Sequence, residues 1–144
     1  MNTNTINQLP ANQTYYSGCF ARDKIPLKFK KPATLIVNTD VSTSPGEHWI
    51  AIHLTRENRG EYFDPYGLPP LHNDLQAFLF KQCPAGIVYN PRTLQCLECI
   101  TCGHYCVAYV KSKAAKLTFC KFLSKFTSDQ YLNEKIVKGY IAHE

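Results

Sequence analysis

The chain has 144 residues, 44% of them hydrophobic and 19% charged, with a formal net charge of +5. That length and balance suit one globular domain with its own core and exclude a disordered chain. No apolar run reaches the length of a bilayer span, and Met1-Asn-Thr-Asn-Thr-Ile-Asn7 lacks a signal peptide's basic and apolar regions, so a protein neither embedded in a membrane nor secreted is expected.

Residues 1–14 are polar and read as a loosely ordered lead. In a chain with no secretory signal, seven cysteines read as thiols, ligands or nucleophiles before they read as disulfides. The β-branched run Ala33-Thr-Leu-Ile-Val-Asn-Thr39 predicts a buried strand. His48–Thr55 and Glu61–Asp64 flank the turn-forming Arg56-Glu-Asn-Arg-Gly60 and predict an antiparallel hairpin. Leu71, Leu75, Phe78 and Leu79 carry helical spacing over 71–82, and Gly86-Ile-Val-Tyr89 reads as a short strand. Cys106, Val110, Ala114 and Leu117 predict a helix from Cys102 to about residue 117, and a last helix is expected from Asp129 to Lys138. No repeat, low-complexity tract or glycine-serine linker divides residues 1–144, so a single α+β domain follows: a small, mostly antiparallel sheet with helices packed on it.

The hairpin brings together two residues that are far apart in sequence. With the turn centred near residues 57–59, His48 and Asp64 fall at the same end of the ladder, where a carboxylate can orient an imidazole. Pro65 holds Asp64 extended and Tyr66-Gly67 turns the chain away. Either residue alone is more often an ordinary strand-end or turn residue; their joint placement is what points to chemistry. Cys102 opens its helix, close to the positive end of the helix dipole, which favours a thiolate, and Gly103 permits close approach of another backbone. Gln95 offers a neutral amide that could join the Cys102 backbone N–H in holding an oxyanion. Cysteine, histidine and carboxylate are the parts of an activated nucleophile.

The same stretch supports a rival chemistry. Cys96, Cys99, Cys102 and Cys106 are spaced C-x2-C-x2-C-x3-C, the run that binds an iron–sulfur cluster, and zinc could use the same row with His104 in reserve. Against the cluster, Val107 stands where such a run carries proline; against both, helical continuation puts Cys102 and Cys106 one turn apart on one face. Neither reading uses His48-Trp49 or Phe63-Asp64-Pro65. Cys19, Cys96, Cys99, Cys106 and Cys120 are then expected to be small packing residues. His53 alternates away from His48 along its strand, and His72, His104 and His143 carry no informative spacing.

Taken together, Tyr15-Tyr-Ser-Gly18, Ile36-Val-Asn-Thr39, Gly46-Glu-His-Trp-Ile-Ala-Ile52, Tyr62-Phe-Asp-Pro-Tyr-Gly67 and Gln95 followed by Cys102-Gly-His-Tyr-Cys106 resemble, in order, the motifs of the adenovirus-type cysteine proteases (adenain and its relatives in other DNA viruses and virus-like elements). The resemblance covers about residues 15–125. It implies a papain-like, adenain-like fold with the catalytic cysteine at a helix N-terminus. His48 would be the general base, Asp64 its orienting acid, Cys102 the nucleophile and Gln95 an oxyanion-hole donor, with Trp49 and Gly103 beside the substrate groove. It further implies a monomeric endopeptidase, needing no cofactor, that cuts viral precursor capsid and core proteins at small-residue, glycine-containing sites during virion maturation. Its setting would be the virion and the host cell interior, in the nucleus or a cytoplasmic virus factory.

Members of that family are activated by DNA and by a disulfide-linked peptide. Lys24, Lys28, Lys30 and Lys31, with Lys111, Lys113, Lys116, Lys121 and Lys125, suit DNA contact and a DNA activator. Cys83 lies in the region of the peptide-bearing cysteine, but its spacing differs. The chain also ends earlier than adenovirus members, so the later helices of that fold are expected to be shortened or missing. Proteases of ubiquitin-like modifiers, distant kin with the same order of His, Asp, Gln and Cys, are the enzymatic alternative. A non-catalytic binding module is disfavoured because every expected catalytic residue type is present.

Overall fold

The computed structural model describes residues 6, 8, 10–40, 48–96 and 100–142. Gly46 and Glu47 of the His-Trp motif, Cys99 and His143 lie outside the described residues. At the centre is a five-stranded sheet in the order β1 (Tyr16–Ala21), β2 (Ala33–Asn38), β3 (Trp49–Leu54), β4 (Gly60–Phe63) and β5 (Ile87–Tyr89). Four α-helices with defined bounds accompany it among the described residues, α1 (Asn73–Gln82), α2 (Cys102–Ala114), α3 (Phe119–Leu123) and α4 (Gln130–Ala142), together with a single 3-10 turn at Arg22–Lys24.

The α+β class holds, and the expected hairpin forms with Ala51 opposite Phe63 and Leu54 opposite Gly60. The three central strands are antiparallel, whereas both edge strands join in parallel, β1 on β2 and β5 on β4. A parallel neighbour needs a crossover, and α1 supplies it between β4 and β5. Strand β1 left little trace in the sequence because Gly18 sits at φ 132° inside a register shift between Tyr16 and Gly18, which breaks the alternation. Helix α4 runs past the expected stop at Lys138, through Gly139, because Tyr140 and Ile141 still pack on the core.

Helices cover both faces of the sheet. Leu35, Val37, Ile50, Ile52 and Tyr62 face Leu75 and Leu79 of α1. Ile36, Trp49, Ala51 and Phe63 face α2, with Phe122 and Phe126 from the region of α3 and Val137 of α4 behind it. Strands buried on both sides read as continuous apolar runs, and β2 and β3 are indeed buried along their whole length. Helix α2 lies in the middle of this stack, buried on nearly every side, so its first turn is fixed by tertiary packing rather than by helix propensity. Ile6 and Pro10, in the segment that reads as a polar lead, are buried, and Ile6 belongs to the α2 side of the core.

Candidate active site

Three of the residues singled out in the sequence converge where β3 begins, β4 ends and α2 starts. His48 directly precedes β3, and its carbonyl accepts hydrogen bonds from the Thr39 N–H (2.9 Å) and hydroxyl (3.3 Å). Its Nε2 lies 2.8 Å from Asp64 Oδ1, with the His48 side chain 18% exposed and that of Asp64 5%. Nδ1, the other ring nitrogen, is buried and makes no hydrogen bond among the described residues. Cys102, the first residue of α2 and 6% exposed, is the thiol that acts on this imidazole. Burial would lower the His48 pKa, but the hydrogen bond and charge of Asp64, with the nearby Cys102 thiol, outweigh it and push the group up to about 9. A protonated imidazole beside a helix-terminal thiol is one half of an ion-paired nucleophile.

A turn holds Asp64 in place. The Gly67 N–H donates to the Asp64 carbonyl (2.8 Å), and the Tyr66 N–H donates to Asp64 Oδ1 (2.8 Å), the same oxygen that meets His48. The Tyr66 ring stacks on the His48 imidazole at 4.7 Å and 20°, fixing its plane. Asn90, completely buried, accepts from the Asp64 N–H (3.0 Å) and donates to the Asp64 carbonyl (2.6 Å), completing the clamp. An Asn-Pro step reads as a turn, so nothing in the sequence marks Asn90 for this role.

Gln95 is tied to the same turn by its backbone. The Leu94 and Gln95 N–H groups donate to the Pro65 carbonyl (2.9 and 3.1 Å), and the Thr93 hydroxyl donates to the Tyr66 carbonyl (2.7 Å). The Gln95 side chain is wholly buried. Gly67, at φ 75°, lets the two segments meet: a Cβ there would lie 2.6 Å from the Arg92 carbonyl carbon. Gly103 is buried in the first turn of α2, and Trp49 is 5% exposed in the core cluster that contains Cys102.

Several expectations sort out differently. Cys96 is disulfide-bonded, which corrects its expected role as a free packing thiol and removes it from any ligand row. The absence of a secretory signal favours free thiols in general but says nothing about which two cysteines the fold brings into bonding distance. Among the described residues no group of three or more His, Cys, Asp or Glu side chains is arranged to hold a metal ion. Cys106 is fully enclosed, and burial, then Cys102 and Asp64, push its pKa well up, so it remains a packed thiol. His53 stays clear of the site by its place along β3 rather than by facing away. It bonds Thr34 (2.8 Å) near Lys113 at the far end of α2, and burial with the Lys113 charge lowers it to about 4. Some lysines are committed internally: Lys113 to Glu61 (3.0 Å), Lys31 to the Gln82 carbonyl (2.8 Å) and Lys111 to the Ile141 carbonyl (2.8 Å).

No family model matches the chain. Over 107 residues it is 28% identical to the cysteine protease S273R of African swine fever virus, an alignment that takes in 66% of this chain and 38% of that protein. The chain therefore spans well under half the length of this curated relative. A crystal structure of the African swine fever virus pS273R protease superposes with a TM-score of 0.58 at 19% identity, covering 89% of this chain and 59% of that one. The central domain of an uncharacterized Legionella pneumophila protein, Lpg1148, gives a TM-score of 0.56 at 15% identity, with 99% and 98% of the two chains covered. The chain thus has the α+β fold of the pS273R protease and is similar in sequence to that viral cysteine protease.

Proposed function

We propose that this chain is a cysteine endopeptidase in which Cys102 attacks, His48 is the base and Asp64 orients it. The observation that carries this reading is the His48–Asp64 bond of 2.8 Å, which leaves a buried, unbonded Nδ1 beside a thiol at the start of α2. His48 takes the thiol proton through Nδ1 while Asp64 holds Nε2–H. The thiolate adds to the scissile carbonyl, and the Gln95 amide and Cys102 N–H hold the resulting oxyanion. His48 then protonates the leaving amine as the C–N bond breaks, leaving a thioester. Finally His48 deprotonates a water that releases the acid and restores the thiol.

The substrates in this reading are viral precursor capsid and core proteins cut at small-residue, glycine-containing sites during virion maturation, in the virion or the host cell interior. The similarity to a viral protease supports the viral setting. The 6% exposure of Cys102 supports a small residue at the cleavage site, since a bulky side chain would keep the carbonyl from the sulfur. DNA is proposed as an activator through the lysines left exposed, Lys24, Lys28, Lys30, Lys116, Lys121 and Lys125. The enzyme would act as a monomer, without a metal or organic cofactor. An activating peptide would need a site other than Cys83, which is 4% exposed behind Gly60.

Mass-spectrometric mapping of cleavage in the structural proteins encoded beside this chain tests the proposal. Cuts at small-residue sites that vanish in Cys102→Ala are expected. Cleavage confined to di-glycine ubiquitin-like substrates would move the enzyme to the modifier-protease branch, and cleavage surviving Cys102→Ala would remove the mechanism. For DNA, duplex binding should weaken steeply with salt; binding that is absent or indifferent to salt removes that part.

A further inference from the structure

We propose that Asn133 and Glu134, adjacent on α4, are positioning residues that set the Gln95 loop and the first turn of the Cys102 helix at a fixed separation; this rests on the function proposed above. Asn133, with no exposed surface, donates through Nδ2 to the Leu94 carbonyl (3.1 Å), one residue before Gln95. Its own amide is locked by the Thr127 carbonyl (2.9 Å) and the Thr127 N–H (2.7 Å). Glu134 accepts from Tyr105 OH (2.5 Å) through Oε2 and from the Thr101 hydroxyl through Oε1, one residue before Cys102. The Tyr105 hydroxyl also lies 3.5 Å from the Leu94 carbonyl, so the two arms meet.

The way α2 begins gives this arrangement its consequence. Thr101 is the residue before the first helical turn, where a threonine ordinarily turns its hydroxyl onto the N–H groups of that turn. Here it makes no such cap: its backbone, at φ −105° and ψ 13°, lies outside the extended conformation a capping residue takes, and its hydroxyl donates to Glu134 instead. A cap from Thr101 would engage the N–H of Gly103 or His104 rather than that of Cys102, so the first turn opens without a side-chain cap beside the point where an oxyanion would form. Apolar side chains could hold α4 against α2 equally well. A polar network with both oxygens of Glu134 engaged fixes a geometry that apolar packing leaves loose.

Two reactions of Cys102 separate positioning from mere support. Acylation by p-nitrophenyl acetate forms a thioester, expels p-nitrophenolate and passes through an oxyanion, whereas alkylation by iodoacetamide forms an S–C bond as iodide leaves the same carbon, with no oxyanion. In the full chain, Glu134→Ala should lower the acylation burst about 10- to 100-fold while Cys102 alkylation stays within about threefold. Glu134→Gln, which keeps one acceptor oxygen, should recover part of the loss. The pair Thr101→Val with Tyr105→Phe should reproduce the loss, and adding Glu134→Ala should lower it no further. If Glu134→Ala does not fold, the glutamine variant and the hydroxyl pair carry the test. Rates that fall together, rates that do not move, or losses that add across the variants overturn the proposal. A wild type that shows no burst at Cys102 sinks the proposed function itself, whereas a wild-type burst with unchanged Glu134 variants sinks this inference alone.

Discussion

Gly67 is where the Asp64 turn and the Gln95 loop press on each other, so Gly67→Ala perturbs both at once. At φ 75° an alanine takes on about 1 kcal/mol of left-handed backbone strain. Its Cβ would also lie 2.6 and 2.7 Å from the Arg92 carbonyl carbon and oxygen and 2.8 Å from the Thr93 nitrogen. All three are backbone atoms, so residues 92–95 must retreat, stretching the hydrogen bonds from Thr93, Leu94 and Gln95 to Tyr66 and Pro65. With each bond worth about 1 kcal/mol and only partly lost, the total destabilisation is roughly 3 kcal/mol. In a chain of this size that lowers Tm by roughly 10 °C. Peptide hydrolysis should fall about 100-fold as the oxyanion donor shifts. Gly139→Ala is the matched control: a Cβ there meets nothing within 4 Å on the helix α4, so Tm should hold or rise slightly. Calorimetry on the two variants checks the argument. A Gly67→Ala protein within a degree of wild type, with full activity, would refute the coupling of turn and loop.

Asn90→Ala removes three hydrogen bonds, two to Asp64 and one to the Arg92 carbonyl (3.1 Å), from a residue with no exposed surface. Urea unfolding should show a loss of roughly 2–4 kcal/mol, and an unchanged midpoint would discount the clamp. The His48 pKa is raised from its ordinary 6.5 to about 9, so protonation favours the folded state. The stability His48 contributes is fully present below about pH 6.5 and is lost as pH rises through about 9, amounting to at most about 3 kcal/mol. The gap in urea midpoint between wild type and His48→Gln should therefore narrow across that window, and a gap that widens with pH would reverse the assignment. Asp64→Asn should shift the window downward, because it removes the charge that helps raise the histidine.

Local chemistry accounts for what could be read in advance. The hairpin, the meeting of His48 with Asp64 and the start of α2 at Cys102 follow from strand period, turn residues and a run of apolar positions, all short-range signals. Residues that act through the fold left no such mark. Asn90, Asn133 and Glu134 reach the site from elements joined to it only by tertiary packing, and polar residues at those places read as surface or turn. The disulfide at Cys96 and the parallel β1 edge escaped for a related reason. A glycine-broken strand hides its alternation, and cysteine pairing cannot be deduced from spacing alone. The four-cysteine row dissolves into different fates: Cys102 faces the histidine, Cys106 is sealed in the core and Cys96 is bonded.

Timed iodoacetamide labelling with peptide mapping, run from acid to neutral pH on wild type and His48→Ala, tests the central claim most directly. At about pH 6, where ordinary thiols are protonated, Cys102 should be labelled at least about tenfold faster than the exposed Cys120, and the advantage should vanish in His48→Ala. Cys106 should remain unlabelled in the folded protein. Preferential labelling at Cys106, or a Cys102 rate indifferent to His48, would contradict the assignment of Cys102 as the activated nucleophile.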